Sequence, residues 1–301
     1  MTQPKLKPFE DNRLKLSEHH FNELTSDVQG FQLLSQLLKE LAGINLTSNS
    51  KNYCLMASRL GPVMRERGIE KYRDFYQRVK SQNKSLELEF VHALTTNTTQ
   101  FYREPQHFVY LTQVLPEILA AKRKSGNKQL RVWCAAASTG QEPYTMAMII
   151  NNAIEDQFDW DIKFLATDLD REVLAKAAAG QYSEAEVKGL PPQYGRYLRK
   201  VTGTKREFYQ IDPRLVRMIR FAPLNLMTNP LPFEHSFDII FCRNVLIYFE
   251  AKVAEDVVSR MSAALAPEGL LFLGHAEAGA MRAPNMKSVH HAVYKRTKAG
   301  K

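Results

Sequence analysis

Cysteine is scarce in this chain, with three residues in 301, Cys54, Cys134 and Cys242. They lie far apart, and two fall inside apolar runs. That excludes the paired Cys spacing of a structural zinc site and the disulfide framework of a small secreted domain. All three are expected to be reduced core residues, and no metal is expected. Long hydrophobic runs are also missing. None approaches the ~20 apolar residues that a membrane-spanning helix needs. The opening MTQPKLKPFEDNRLKLSEHH has no apolar core of a signal peptide, so the cytoplasm is the expected location, without membrane insertion. The sequence lacks the dinucleotide fingerprint G-x-G-x-x-G and a phosphate-cradling lysine. It also has no Ser-His-Asp or Cys-His constellation for nucleophilic catalysis. With 44% hydrophobic and 24% charged residues it is an ordinary globular chain, long enough for two domains with an ample core.

The first 95 residues or so carry helical periodicity. Phe31, Leu34, Leu37, Leu38 and Leu41 make one apolar stripe, ended by Gly43. Tyr53, Met56, Leu60 and Met64 make a second, followed by Gly68. Tyr72, Phe75, Tyr76 and Val79 form a third, and Leu86, Phe90, Ala93 and Leu94 a fourth. A small helical bundle is the expected result. Residues 51–80 hold eight Lys or Arg against three acids, a local charge of +5 within a chain of net +9. Such a surface attracts an acidic partner, or is a merely solvated helix face.

From Gly126 onward the grammar changes to short apolar runs: LRVWCAA (130–136), IKFLAT (162–167), RMIRF (217–221), FDIIFC (237–242), GLLFLG (269–274) and HHAVYKR (290–296). Helical stretches at 142–155, 170–179 and 251–266 lie between several of them. This alternation predicts an α/β domain with a mainly parallel sheet covered on both faces. Residues 182–216 interrupt it, with Pro191, Pro192, Gly195 and Gly203, and are expected to form a small inserted β subdomain. Between the two halves, residues 96–125 comprise a polar segment and then a helix opened by Pro105.

Ligands of open parallel sheets bind beyond the carboxyl ends of the strands, so those ends carry the candidate site. After the first run comes AAASTGQEPY, with Gly140 and Glu142 at a turn into a helix. The second run ends in TDLD. There Asp168 can accept both hydroxyls of a ribose, and Asp170 is expected to cap the helix starting at Arg171. Asn225 follows the third run. Arg243, Asn244 and Tyr248 follow FDIIFC. Two readings stay open at that fourth end: ligand contacts, or Arg243 pairing with an acid while Asn244 caps a helix.

The ordered series TTNTTQFYRE, ASTGQEPY, ATDLD, LNL, FDIIFCRNVLIYF and LLFLGHAE resembles the chemotaxis receptor methyltransferases, the CheR family, from about residue 25 to about 296. The resemblance implies a helical N-terminal domain facing the receptor (residues 1–95). It also implies a Rossmann-like S-adenosylmethionine-dependent methyltransferase domain (126–301), with the β subdomain inserted in it. The implied reaction is methylation of glutamate side chains on chemoreceptor cytoplasmic helices. Asn97, Thr99, Arg103, Glu142, Asp168, Asn225, Leu226, Arg243 and Asn244 match the family's cofactor-binding positions. For such a transfer Arg103 and Tyr248 are the candidate catalytic residues, Arg103 holding the incoming carboxylate and Tyr248 positioning it or the methyl with its hydroxyl. Either could instead be structural, Tyr248 as a core tyrosine. The basic residues Arg59, Arg65, Arg67 and Arg73 are the expected receptor-steering group.

Two rivals belong to other classes. A nucleic-acid methyltransferase would suit a pI of 9.3, but it needs a pocket for an extruded base, and CRN stands where the amine-directed motif would be. A cofactor-sensing module that has lost catalysis would show damage at Arg103, Asp168 or Tyr248, and all three are present.

Overall fold

The computed structural model describes residues 18–81, 84–154, 159–203 and 207–297. The chain divides into two compact units. One holds residues up to Leu41 together with Asn45–Thr95; the other holds Ala42–Ile44 and the chain from Thr96 onward.

The first unit is entirely helical: α1 (Glu18–Ser26), α2 (Val28–Ala42), α3 (Ser50–Glu66), α4 (Tyr72–Lys80) and α5 (Lys84–Leu94). Its core is the four predicted stripes. Phe31, Leu34, Leu38, Met56, Leu60, Met64, Tyr72, Phe75 and Phe90 are all at most 1% exposed. Leu41, Tyr53, Tyr76 and Ala93 sit at the stripe margins and are half-buried. Asn49 caps α3, its side chain accepting the Asn52 N–H at 2.9 Å. Gly43 and Gly68 follow α2 and α3 with φ of +74° and +62°, a left-handed conformation that suits glycine at a helix end.

The four steering arginines are not equivalent. Arg73 is exposed on α4. Arg59 is half-buried and donates to the Thr95 carbonyl at 2.7 Å, near the end of α5. Arg67 pairs with Glu89. At least two of the four guanidinium groups are thus engaged in holding the bundle together, a task that spacing alone did not reveal.

The second unit begins with α6 (Pro105–Lys124). It continues with β1 (Gln129–Ala135), α7 (Gln141–Ala153), β2 (Asp161–Asp168) and α8 (Arg171–Ala179). Next come β3 (Gln181–Tyr182), α9 (Glu184–Val187), β4 (Leu198–Val201), β5 (Phe208–Ile211), α10 (Pro213–Met218) and β6 (Ile219–Pro223). The chain closes with β7 (Phe237–Cys242), α11 (Ala251–Ala264), β8 (Leu265–Leu273), β9 (Met286–His290) and β10 (Val293–Arg296). The large sheet has the order β6-β2-β1-β7-β8-β10-β9. Its first five strands run parallel, and β10 and β9 are antiparallel.

Two sequence runs divide differently from expectation. Within RMIRF, Met218 still belongs to α10 and the strand starts at Ile219. The run HHAVYKR straddles a hairpin, with His290 ending β9 and Val293 opening β10. β3, β5 and β4 make a separate antiparallel sheet between α8 and α10.

Central strands bury both faces, as parallel strands do. Val132, Cys134, Ile239, Phe241 and Phe272 pack with α6 and α7 on one side. Trp133, Ala135, Ile240, Cys242 and Leu271 pack with α11 on the other. Cys134 and Cys242 are therefore buried on opposite faces, while Cys54 is exposed, against the expectation of a core position. Among the described residues no helix is long and apolar enough to cross a membrane.

Candidate functional site

The strand order explains where the polar residues converge. From β1 the chain moves outward through β2 to β6, then returns to the other side of β1 as β7. The crevice at such a reversal is where open α/β sheets bind ligands. Glu142, in the first turn of α7 after β1, and Arg243, just past β7, meet there. Arg243 Nη1 lies 2.5 Å from Glu142 Oε2, and Nη2 lies 3.1 Å from Glu104 Oε2. Nη2 also donates to the Arg103 carbonyl at 2.6 Å. The Arg243 side chain has no exposure, and its guanidinium stacks 5.3 Å from the Phe108 ring centroid. It is a buried cation between two carboxylates.

Burial pushes the Glu142 carboxyl above the ordinary range, and Arg243 opposes that shift. Glu142 Oε1 accepts the Cys134 thiol at 3.3 Å, so both of its oxygens have partners. Burial raises the Glu104 carboxyl too, but donors from Asn244 and Arg243 outweigh it and hold the group down at about 2. Asn244 Nδ2 donates to Glu104 Oε1 at 2.9 Å.

Asn244 itself is left-handed, with φ of +59°. The turn it starts is organised by Glu277, which is 3% exposed. That carboxylate accepts the N–H groups of Gly274, Asn244, Val245 and Leu246 at 2.6–2.8 Å, and of Ile247 at 3.3 Å. Tyr248 ends the resulting 3-10 turn (Leu246–Tyr248) and is half-buried. It is not one of the core tyrosines.

At the next strand end, Asp168 is 9% exposed. Its Oδ2 accepts the Ser138 N–H at 2.8 Å and its Oδ1 the Asp170 N–H at 3.0 Å. Burial raises its pKa, offset in part by these amides. The β1–α7 loop it holds contains three left-handed residues, Ala136, Ser138 and Gly140. At Gly140, with φ of +98°, an added Cβ would lie 2.7 Å from Tyr182 Oη and 2.9 Å from Ala177 Cβ, so only glycine fits.

Asp170 caps α8 as expected, accepting from Glu172 N at 2.8 Å and Val173 N at 3.3 Å. Its other oxygen accepts Asn97 Nδ2 at 3.0 Å, and the Asn97 carbonyl accepts the Ser138 hydroxyl at 3.0 Å. The polar segment after Thr95 is therefore tied to both strand ends. Thr99 and Arg103 are half-buried in it, and Arg103 Nη1 donates to the Thr98 carbonyl at 2.9 Å. Past β6, Asn225 Oδ1 accepts the Met227 N–H at 2.9 Å, and Leu226 is buried in the sheet core.

Asn97, Glu142, Asp168, Arg243 and Asn244 thus belong to one region of linked polar groups. Arg243 does pair with acids, as its alternative reading had it, whereas Asn244 caps no helix with its side chain and donates to Glu104 instead. Sequence reasoning passed over Glu104 and Glu277, which organise the end of β7. A signal existed for each: Glu104 precedes a proline at a helix start, and Glu277 stands three residues after Gly274 in GHAE, the spacing of a capping carboxylate.

Residues 29–95 match the family described as CheR methyltransferase, all-alpha domain. Residues 97–294 match CheR methyltransferase, SAM binding domain. The chain is 37% identical over 268 residues to the chemotaxis protein methyltransferase of Escherichia coli K12, covering 88% of this chain and 86% of that one. It is 38% identical over 239 residues to a probable chemotaxis protein methyltransferase of Rhizobium etli, covering 78% and 87%. With chemotaxis protein methyltransferase 1 of Pseudomonas aeruginosa it shares 37% identity over 253 residues, covering 82% and 89%. A switch-point site in the second unit, and family matches spanning both units, lead to one conclusion: the chain belongs to the CheR methyltransferase family.

Proposed function

We propose that the chain transfers a methyl group from S-adenosylmethionine to glutamate side-chain carboxylates on the cytoplasmic helices of chemoreceptors, forming methyl esters for chemotactic adaptation. One observation carries the reading at the level of geometry. Glu142 and Arg243 lock together at the β1/β7 switch point, with Asp168 at the neighbouring strand end, in a chain of this family.

The donor set fits the cofactor. Asp168 accepts the Ser138 and Asp170 amides on separate oxygens and a Leu169 amide as well, and a carboxylate has about four lone-pair sites, so acceptor capacity remains for a ribose hydroxyl. Glu104 and Glu142 outnumber Arg243 two to one, a balance that suits a cationic ligand. In this reading Asn97, Thr99, Arg103, Glu142, Asp168, Asn225, Leu226, Arg243 and Asn244 form the cofactor site. Arg243, whose side chain is wholly buried, acts there as a positioning residue through Glu142 and Glu104.

S-adenosylmethionine supplies a methyl group activated by the positive sulfonium. The substrate glutamate is ionised at neutral pH, well above its reference pKa of about 4.3, so no general base is required. What the protein contributes is alignment. We assign that task to Arg103, by charge, and Tyr248, by its hydroxyl. Both are half-buried rather than enclosed.

We further assign residues 1–95 as the receptor-facing domain, 96–125 as the interdomain segment and helix, and 126–301 as the methyltransferase domain, with an inserted subdomain at 182–216. Of these ranges, residues 1–17 and 204–206, among others, lie outside the described residues. Arg73, exposed on α4, is the preferred steering residue, and Arg59, Arg65 and Arg67 add to the field.

Incubation with methyl-labelled cofactor and receptor cytoplasmic fragments tests the reading. Base-labile label on receptor glutamates is expected. Label on nucleic acid, or cofactor binding without transfer, would overturn it.

A further inference from the structure

His107, on the first turns of α6, is completely buried. Its Nε2 lies 3.3 Å from the His291 carbonyl oxygen. A carbonyl only accepts, so Nε2 carries the proton and Nδ1 presents a bare lone pair. That lone pair has no hydrogen-bond partner among the described residues. It faces Glu104 Oε2 at 3.6 Å. His275 Nε2, also buried and without a hydrogen-bond partner among the described residues, lies 3.8 Å from the same oxygen. Two imidazole nitrogens and one carboxylate oxygen therefore converge, all within 4.8 Å of one another.

We propose that Glu104, His107 and His275 form a binding site for a divalent transition-metal cation of the zinc class. Three observations favour a cation over a plain polar cluster. First, the buried Nδ1 is an acceptor without a donor among the described residues, and it faces a second acceptor, Glu104 Oε2, whose own donors are Arg243 Nη2 and the His275 N–H at 3.3 Å. Second, metal-bound histidines characteristically donate their other ring N–H to a carbonyl or carboxylate, and His107 does so to His291. Third, the spacing is close to what a metal needs. Bonds of about 2.0–2.2 Å from His nitrogen and carboxylate oxygen place tetrahedral ligands about 3.3–3.5 Å apart. Two of the separations are within a few tenths of an ångström of that, and the half-exposed His275 ring can turn to close the third.

The opposing force is Arg243, 3.1 Å from the same Glu104 oxygen. Glu142 pairs with that guanidinium and offsets its charge, so the cluster keeps one carboxylate in excess. The expectation of no metal came from cysteine spacing, and His107 and His275 are 168 residues apart in the chain. Only the packing of α6 beside the turn after β8 joins them.

The test uses cobalt(II) alone, added to the chelator-treated full chain. One equivalent should bind with visible d–d absorption of a low-coordinate nitrogen–oxygen site, and zinc should displace it. His275→Ala, at a half-exposed position, should keep the wild-type melting behaviour and lose the bound equivalent. His19→Ala, at an exposed histidine outside the cluster, should retain it. X-ray absorption of the wild-type cobalt form should show two imidazole ligands, which keeps the test independent of how any variant folds. Absence of d–d absorption in the wild type, fewer than two imidazoles, or unchanged binding by His275→Ala would overturn the proposal. Cobalt binding is read without cofactor or receptor, so it stands or falls separately from the methyl-transfer reading.

Discussion

The two units of this chain are built on opposite interiors. In the helical unit every buried described residue is apolar apart from the Tyr72 hydroxyl and two glycines, Gly30 and Gly61. All the buried polar and charged side chains among the described residues, from His107 and Asp168 to Arg243 and Glu277, are in the sheet unit. A helical bundle satisfies its backbone within each helix, so its interior can be purely hydrophobic. A parallel sheet must end, and at its strand ends the chain turns through left-handed residues whose amides need acceptors. Glu277 and Asp168 meet that need with buried carboxylates. Arg243 then balances the neighbouring acids Glu142 and Glu104. The comparison implies that removing a polar group harms one unit far more than the other.

The largest break should come at Arg243. Arg243→Met leaves Glu142 and Glu104 buried without their cation, and a loss of about 3–5 kcal/mol of stability is expected in urea unfolding. The matched change in the helical unit, Arg73→Met at an exposed position, should stay within about 0.5 kcal/mol. Equal losses would mean that the buried ion network is not what distinguishes the units.

Asp168→Asn sharpens the same contrast at the ligand. It removes the charge and one acceptor while keeping one oxygen for an amide. S-adenosylmethionine affinity should fall by about 1.5–3 kcal/mol, the range for hydrogen bonds to charged groups. Calorimetric titration at wild-type affinity would take Asp168 out of the site.

Tyr248→Phe tests whether the turn organised by Glu277 presents a working hydroxyl. Turnover should drop by about tenfold, a transition-state cost near 1.4 kcal/mol, with cofactor affinity nearly unchanged. Normal turnover at saturating receptor would leave the hydroxyl without a role in alignment.

The smallest effect belongs to the surface of the helical unit. Reversing charge at Arg65 and Arg73 should raise the apparent Michaelis constant for receptor a few-fold at low salt and leave cofactor affinity intact. The difference should fade as screening shortens to about 8 Å near physiological ionic strength. Identical kinetics at low salt would move receptor recognition away from this face.

Much of this was legible in the residues. Helical stripes such as Phe31, Leu34 and Leu38 repeat at the period of the helix, and burial follows directly from that. The runs FDIIFC and IKFLAT read as buried strands because both faces of each are apolar, and the polar groups after them had to lie at strand ends. The capping role of Asp170 also followed, since it depends only on the next three residues. Local periodicity and local capping chemistry are properties of neighbouring residues, and a linear sequence contains them.

The tertiary structure decided what distant residues do to one another. That Arg59 holds the end of α5, that Arg243 is enclosed by Glu142 and Glu104, and that Glu277 gathers five backbone amides are consequences of packing. So is the meeting of His107 with His275. Coulomb energies and desolvation depend on separations of a few ångströms and on the exclusion of water, and neither is encoded in spacing along the chain. Residue type and period determined which segments would be buried; only the fold determined which buried charges would face each other.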